Sequence, residues 1–169
     1  MQKKLMYLEI AGILFIVIMS VFMQNLLDLS GHTLIGVMFG SVNDSIWEIE
    51  KTLLFPYLLW AGIELLCIKI PFRKFIVAKA VSLWFFCLSY SAICLLYSLT
   101  GAQTHFLPEF TAALICCTLA FFISFRLTVG SKKCEVLFYH AFFMLKLYVV
   151  LYCSLTPLPM LNYLFMERT

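Results

Sequence analysis

Asn43-Asp44-Ser45-Ile46-Trp47-Glu48-Ile49-Glu50-Lys51 is a polar stretch that opens a long apolar run, 46–68, with Glu64 further down the same run. Acids and a lysine at the head of so hydrophobic a segment are costly unless they are solvated, paired or used. The surroundings decide what kind of segment it is. Hydrophobic residues make up 63% of the 169-residue chain and charged residues 12%, against roughly 25% charged in soluble domains. A soluble globule of this composition would expose large apolar patches. The lipid bilayer is therefore the expected solvent.

Working outward, five apolar segments reach the ~20 helical residues needed to cross the hydrocarbon core: 5–27, 46–68, 75–99, 106–125 and 136–155. None has the alternation and turn density of a barrel, which leaves helices. The expected fold is an all-α polytopic membrane bundle of five transmembrane helices in one domain. With five spans, Lys3, Lys4, Lys69, Arg73, Lys74, Lys79, Arg126, Lys132 and Lys133 fall on one side, and Lys51 and Arg168 on the other. That bias predicts a cytoplasmic N-terminus and an extracytoplasmic C-terminus. The charged start followed by a long apolar run predicts a retained first span rather than a signal peptide. In the first outer loop, 31–41 holds an apolar piece punctuated by Gly31, Gly36 and Gly40. Too short to span, it either rests in the interface or re-enters the membrane. No internal repeat divides the chain into related halves, which argues against an inverted-repeat transporter within one chain.

The cysteines are odd in number, form no CxxC and lie mostly in apolar runs, where Cys behaves as a small hydrophobe. No disulfide, metal site or cofactor is expected. No basic run tracks phosphates, so nucleic acid is not an expected partner. No HExxH, GxSxG elbow, phosphate-cradling glycine loop or dinucleotide fingerprint occurs.

The outer candidates are Asn43, Asp44, Ser45, Trp47, Glu48 and Lys51, joined at the same level by Glu50, His105 and Glu109. Each has a structural reading. Ser45 and Glu48 have capping-box spacing, Asp44 suits a helix N-terminus, Trp47 an aromatic belt, and Glu48–Lys51 an i,i+3 pair. The functional reading gathers them into one pocket for a cation, a proton or a polar headgroup, with His105 and Glu109 four apart and His able to titrate near neutral pH. The inner candidates are Glu9, Glu64, Lys79 and His140, at comparable depth by residue count. Glu9 or Glu64 is expected to pair with Lys79 across the bundle, the alternative being snorkelling to the inner boundary. Lys146, near the middle of the fifth span, is expected to face the interior with Glu48 or Glu50 as its partner.

The same stretch resembles the signature of a family of small bacterial multi-span membrane proteins described only as a domain of unknown function. That signature reads V-N-E-S-x-W-E-H-x-K after an S-G pair, followed by F-F-P and I-E. Here Ser30-Gly31 precedes Val42-Asn43-Asp44-Ser45-Ile46-Trp47-Glu48-Ile49-Glu50-Lys51, and Leu54-Phe55-Pro56 and Ile63-Glu64 follow. Asp44 keeps the charge of the family's Glu, while Ile49 stands where the family has His. The resemblance covers the first third of the chain. It implies a protein of the bacterial cytoplasmic membrane and supplies no activity.

Three functions follow in order: a small permease-like or ion- or proton-coupled protein using the outer polar site; a non-catalytic accessory subunit, in a homo-oligomer or with a membrane protein partner; and a membrane-embedded enzyme, for which no nucleophile–base pair is evident.

Overall fold

Lysines at one end of the molecule cap two helix C-termini, and this pairing shows how the helices alternate. The computed structural model describes residues 2–43, 45–99, 106–130 and 136–155, and within them every regular element is helical. The elements are α1 (Gln2–Gln24), α2 (Leu26–Leu29), α3 (Leu34–Phe39), α4 (Ile46–Cys67), α5 (Phe72–Leu99), α6 (Phe106–Val129) and α7 (Phe138–Leu155). The Lys4 ammonium donates to the carbonyl of Cys67 at 3.0 Å, and Lys74 donates to the carbonyl of Gly130. Both satisfy carbonyls that a helix end leaves without a partner, where the helix dipole also favours a cation. The rings of Phe72 and Phe138 meet at 6.0 Å beside them. The starts of α1, α5 and α7 therefore share one end with the finishes of α4 and α6, and the basic residues gather there.

Three helices, Gln2–Gln24, Phe72–Leu99 and Pro108–Val129, are long and apolar enough to cross a membrane, and Phe138–Ser154 is apolar but shorter. α4 has 22 residues but carries Glu48, Glu50, Lys51 and Glu64. The boundaries shift from the sequence reading. α1 begins at Gln2 and stops at Gln24, where Asn25 turns its amide back onto the carbonyl of Val21 at 2.8 Å. α5 starts three residues earlier, at Phe72, and α6 runs on to Val129.

α1 packs on α4 and α6, and α5 packs on α4, α6 and α7. The core holds Ile16, Leu54, Tyr57, Leu83, Phe86 and Phe121, while Leu14, Ile18, Leu88, Phe122, Phe143 and Val150 are exposed. Glu9, Glu64 and Lys79 are buried at the same time. Apolar outside with charge inside inverts the order of a soluble domain and suits hydrocarbon solvent.

Residues 31–41 form a compact hairpin with α2. Gly31 and His32 both take the left-handed conformation, at φ 66° and 58°, which reverses the chain between α2 and α3. Gly36 then lies against Leu27 and Ser30, so α3 sits close on α2.

Gly12 sets the approach of α1. A Cβ there would lie 2.7 Å from Phe121 Cε1 and closer still to the Trp60 indole, whereas one at Gly62 meets nothing. Overpacking of this kind costs about 1–3 kcal/mol. Gly12→Val is expected to lower the unfolding temperature in detergent, and Gly62→Ala to leave it unchanged or raise it. Equal behaviour of the two would contradict this packing.

Candidate functional site

The polar residues at the head of α4 divide over its faces instead of forming one pocket. At 3.6 residues per turn, Glu48 and Lys51 project about 60° apart, while Glu50 lies about 160° away from Glu48. The Glu48 carboxylate and Lys51 ammonium meet at 2.6 Å and are buried. Lys51 also donates to the carbonyl of Val37 at 2.9 Å, and Glu48 accepts from the Val42 amide at 3.1 Å. Phe39 packs its ring on Phe55 at 4.8 Å. This pair latches the α3 hairpin to α4 and satisfies a carbonyl in the last turn of α3 and an amide of the loop that follows it. Half of the expected capping box forms: the Glu48 amide donates to Ser45 Oγ at 3.3 Å. The Glu48 carboxylate does not return to the Ser45 amide, which donates instead to Asn43 Oδ1 at 3.1 Å. Asp44 and His105 lie outside the described residues.

Glu50 faces α5 and α7. Its carboxylate accepts from the hydroxyls of Ser91 and Tyr152, and the Tyr152 ring lies flat on Trp47 at 3.9 Å. Lys146 corrects the sequence reading. Ala141, Leu145, Tyr148 and Tyr152 form the packed stripe of α7 at i, i+4, i+7 and i+11. Lys146 falls on the opposite, exposed face, its ammonium 4.5 Å from the Phe142 ring. It pairs with neither Glu48 nor Glu50. His140 is exposed as well and stands apart from the inner charges.

The inner charges converge. Lys79 of α5 lies 3.0 Å from Glu9 of α1 and is also in ion-pair contact with Glu64 of α4. Exposure is 1% for Lys79, 4% for Glu9 and 0% for Glu64. Ser124 of α6 donates to Glu9 at 2.8 Å. The Trp60 indole N–H is shared between the Leu8 carbonyl at 3.0 Å and Glu64 at 3.1 Å. Three rings surround the ammonium, with Phe121 at 4.9 Å and Tyr57 and Phe75 each at 5.5 Å.

A cavity of about 560 Å³ opens at the other end of the molecule. Gln24, Asn25, Ser41, Asn43 and Glu109 are polar residues in its lining, while Ile16, Leu53, Ala113 and Cys117 are apolar ones. It stands above the buried charges in register. One turn below Ile16, Leu53 and Cys117 come Gly12, Tyr57 and Phe121; further on, at Glu9, Glu64 and Ser124, comes the charged cluster. Tyr57 and Phe121 meet at 5.2 Å, and Tyr57 bonds Ser82 at 2.5 Å. A cavity, an aromatic layer and a charged cluster thus follow one another across the bundle. Among the described residues no group of His, Cys, Asp and Glu side chains is arranged to hold a metal ion.

The chain matches no protein-family model, and no curated protein or solved structure is significantly similar to it.

The sequence reading did not single out Trp60, Ser124, Ser91 or Tyr152. Trp60 stands four residues before Glu64, and that i,i+4 spacing was a usable signal. The others come from distant helices and carry none.

Removing one partner of a buried ion pair costs about 3–5 kcal/mol, whereas replacing both by apolar groups is often neutral. Lys51→Met alone is expected to destabilise the protein strongly, and Glu48→Leu with Lys51→Met to recover only part of the loss, because the Val37 carbonyl and the Val42 amide then lack their partners. Chemical denaturation of the single and double variants measures the coupling, and additive losses would contradict the latch.

Proposed function

We propose that the chain is a five-span protein of the bacterial cytoplasmic membrane, with its N-terminus inside, that passes a small cation or proton between the outer cavity and the Glu9–Lys79–Glu64 cluster. The observation that carries this reading is the stack just described: a polar-mouthed cavity, an aromatic layer and a buried cluster in line along α1, α4 and α6. Buried ionisable groups within a membrane bundle are functional-site candidates by default. With all three groups ionised, two carboxylates face one ammonium, and the surplus negative charge calls for a second cation or a proton.

The topology draws support from the lysines that cap α4 and α6 at the end where Lys3, Arg73 and Arg126 also lie. Such a concentration marks the cytoplasmic side. The α2–α3 hairpin then lies on the outside. Its Val37 carbonyl, held by Lys51 a turn and a half into α4, supports re-entry below the surface rather than rest upon it. The signature resemblance around Asn43–Lys51 agrees with a bacterial membrane setting.

A second reading, a non-catalytic partner subunit, draws on Lys146. A lysine halfway along an apolar helix, on its exposed face, is well explained by an acidic residue of a neighbouring membrane protein.

Flux in proteoliposomes tests the first reading. Uptake of protons or of a monovalent cation above protein-free vesicles is expected, falling to background in Glu64→Gln. Glu50→Gln, whose carboxylate points to α5 and α7, should retain flux per folded molecule. Full flux in Glu64→Gln would refute a path through the cluster. A cysteine at the exposed Leu34 is expected to label from outside intact cells, and one at Lys3 only after permeabilisation. The reverse pattern would invert the topology. Pro56 lies in α4 between the cavity floor at Leu53 and Tyr57. Its missing N–H softens the helix there, so Pro56→Ala is expected to slow flux while raising thermal stability. Faster flux, or lost stability, would contradict that role.

A further inference from the structure

The inner cluster is not shaped like a site for a bare inorganic cation. Hard cations gather six or more oxygen ligands, while here three aromatic faces form much of the wall. Two carboxylates and three ring faces are instead the groups that recognise an organic ammonium: opposite charge for its N–H donors and π faces for its weakly hydrated flank. The cluster already holds such a group. From Cβ outward the Lys79 side chain is an n-butylammonium ion, and it fills this cage with its ammonium against Glu9 and Glu64.

The outer cavity repeats the same division. Its acid, Glu109, stands among the amides Gln24, Asn25 and Asn43, while Ile16 and Leu53 offer apolar surface. A hydrated metal ion has no use for such a wall, whereas a hydrocarbon tail does. An ion with a charged head and a short aliphatic tail fits both chambers.

We propose that the ligand of this path is a primary alkylammonium ion, and that Lys79 is a tethered analogue occupying the inner site between passages. The assignment rests on the transport reading above but reaches beyond it, to the chemical class of what is carried. A passing amine would take one of the two carboxylates while Lys79 keeps the other, so that two ammoniums face Glu9 and Glu64 with no covalent change.

Lys79→Ala removes a propylammonium's worth of atoms, so n-propylammonium chloride is the matching probe. The variant is purified in detergent and its unfolding is followed against added probe, with sodium chloride at equal ionic strength as reference. A saturable rise of several degrees in unfolding temperature is expected, absent with sodium and absent in Lys79→Met, whose side chain fills the cage. If Lys79→Ala does not survive purification alone, recovery of a monodisperse protein with the amine but not with sodium is the equivalent result. No rise beyond that of sodium, or an equal rise in Lys79→Met, would overturn the assignment. In proteoliposomes of the native protein, propylammonium uptake above the leak of protein-free vesicles is expected. Proton or potassium flux without amine uptake would overturn the assignment and leave the transport reading standing. Rescue of Lys79→Ala without flux of any ion would retain the site assignment and overturn transport.

Discussion

Everything in the bundle turns on the Lys79 ammonium held between Glu9 and Glu64. Three helices meet through it, and a fourth joins through Ser124. In lipid, helices gain little from burying apolar surface against one another, since the solvent is equally apolar. What remains is close packing and polar contact. A buried charge left alone is far costlier than one that is paired, so the cluster penalises any register in which α1, α4 and α5 fail to bring their ionisable groups to one level. Gly12 permits this by removing the side chain that would hold α1 away from Trp60 and Phe121.

The same demand explains why the described residues hold more than one polar centre. Glu48 and Lys51 act at the N-terminal end of α4, on backbone groups of the α3 hairpin. Glu64 acts near the C-terminal end, on side chains of its neighbours. The first arrangement closes around itself, leaving its groups satisfied and buried. The second lies below an aromatic layer and a cavity. That difference in surroundings, more than any difference in residue type, separates the Glu9–Lys79–Glu64 cluster from the Glu48–Lys51 pair.

Much of the architecture was legible in the residues. Apolar runs of bilayer length, interrupted by short polar turns, foreshadowed the helices, and the spacing of Glu9, Glu64 and Lys79 from their helix ends put them at one depth. The grouping of Asn43 to Lys51 into one pocket misled, because adjacency along a chain is not adjacency on a helix: Glu48 and Glu50 face nearly opposite ways. Lys146 misled for a related reason. Its depth could be counted, but its face depended on which stripe of α7 packs. Ala141, Leu145, Tyr148 and Tyr152 mark that stripe no more clearly than the equally apolar Phe143, Leu147 and Val150 mark the other side. In a helix hydrophobic all round, periodicity carries little information about facing. Contacts such as Glu50 with Ser91 and Tyr152 depend on tertiary pairing alone.

α4 is the element on which both centres bear. Its first turns are held by the Glu48–Lys51 latch and by Glu50, and its last turns by Glu64 and the Trp60 indole. Between these anchors stands Pro56, which has no N–H to offer the carbonyl of Thr52. A helix fixed at both ends and lacking one bond in the middle bends most cheaply at that bond. Here the bond falls beside Leu53 and Tyr57, where the cavity floor gives way to the aromatic layer. The polar anchors and the proline therefore act together: the anchors hold the two halves of α4, and the missing hydrogen bond places its compliance at the level between the cavity and the charged cluster.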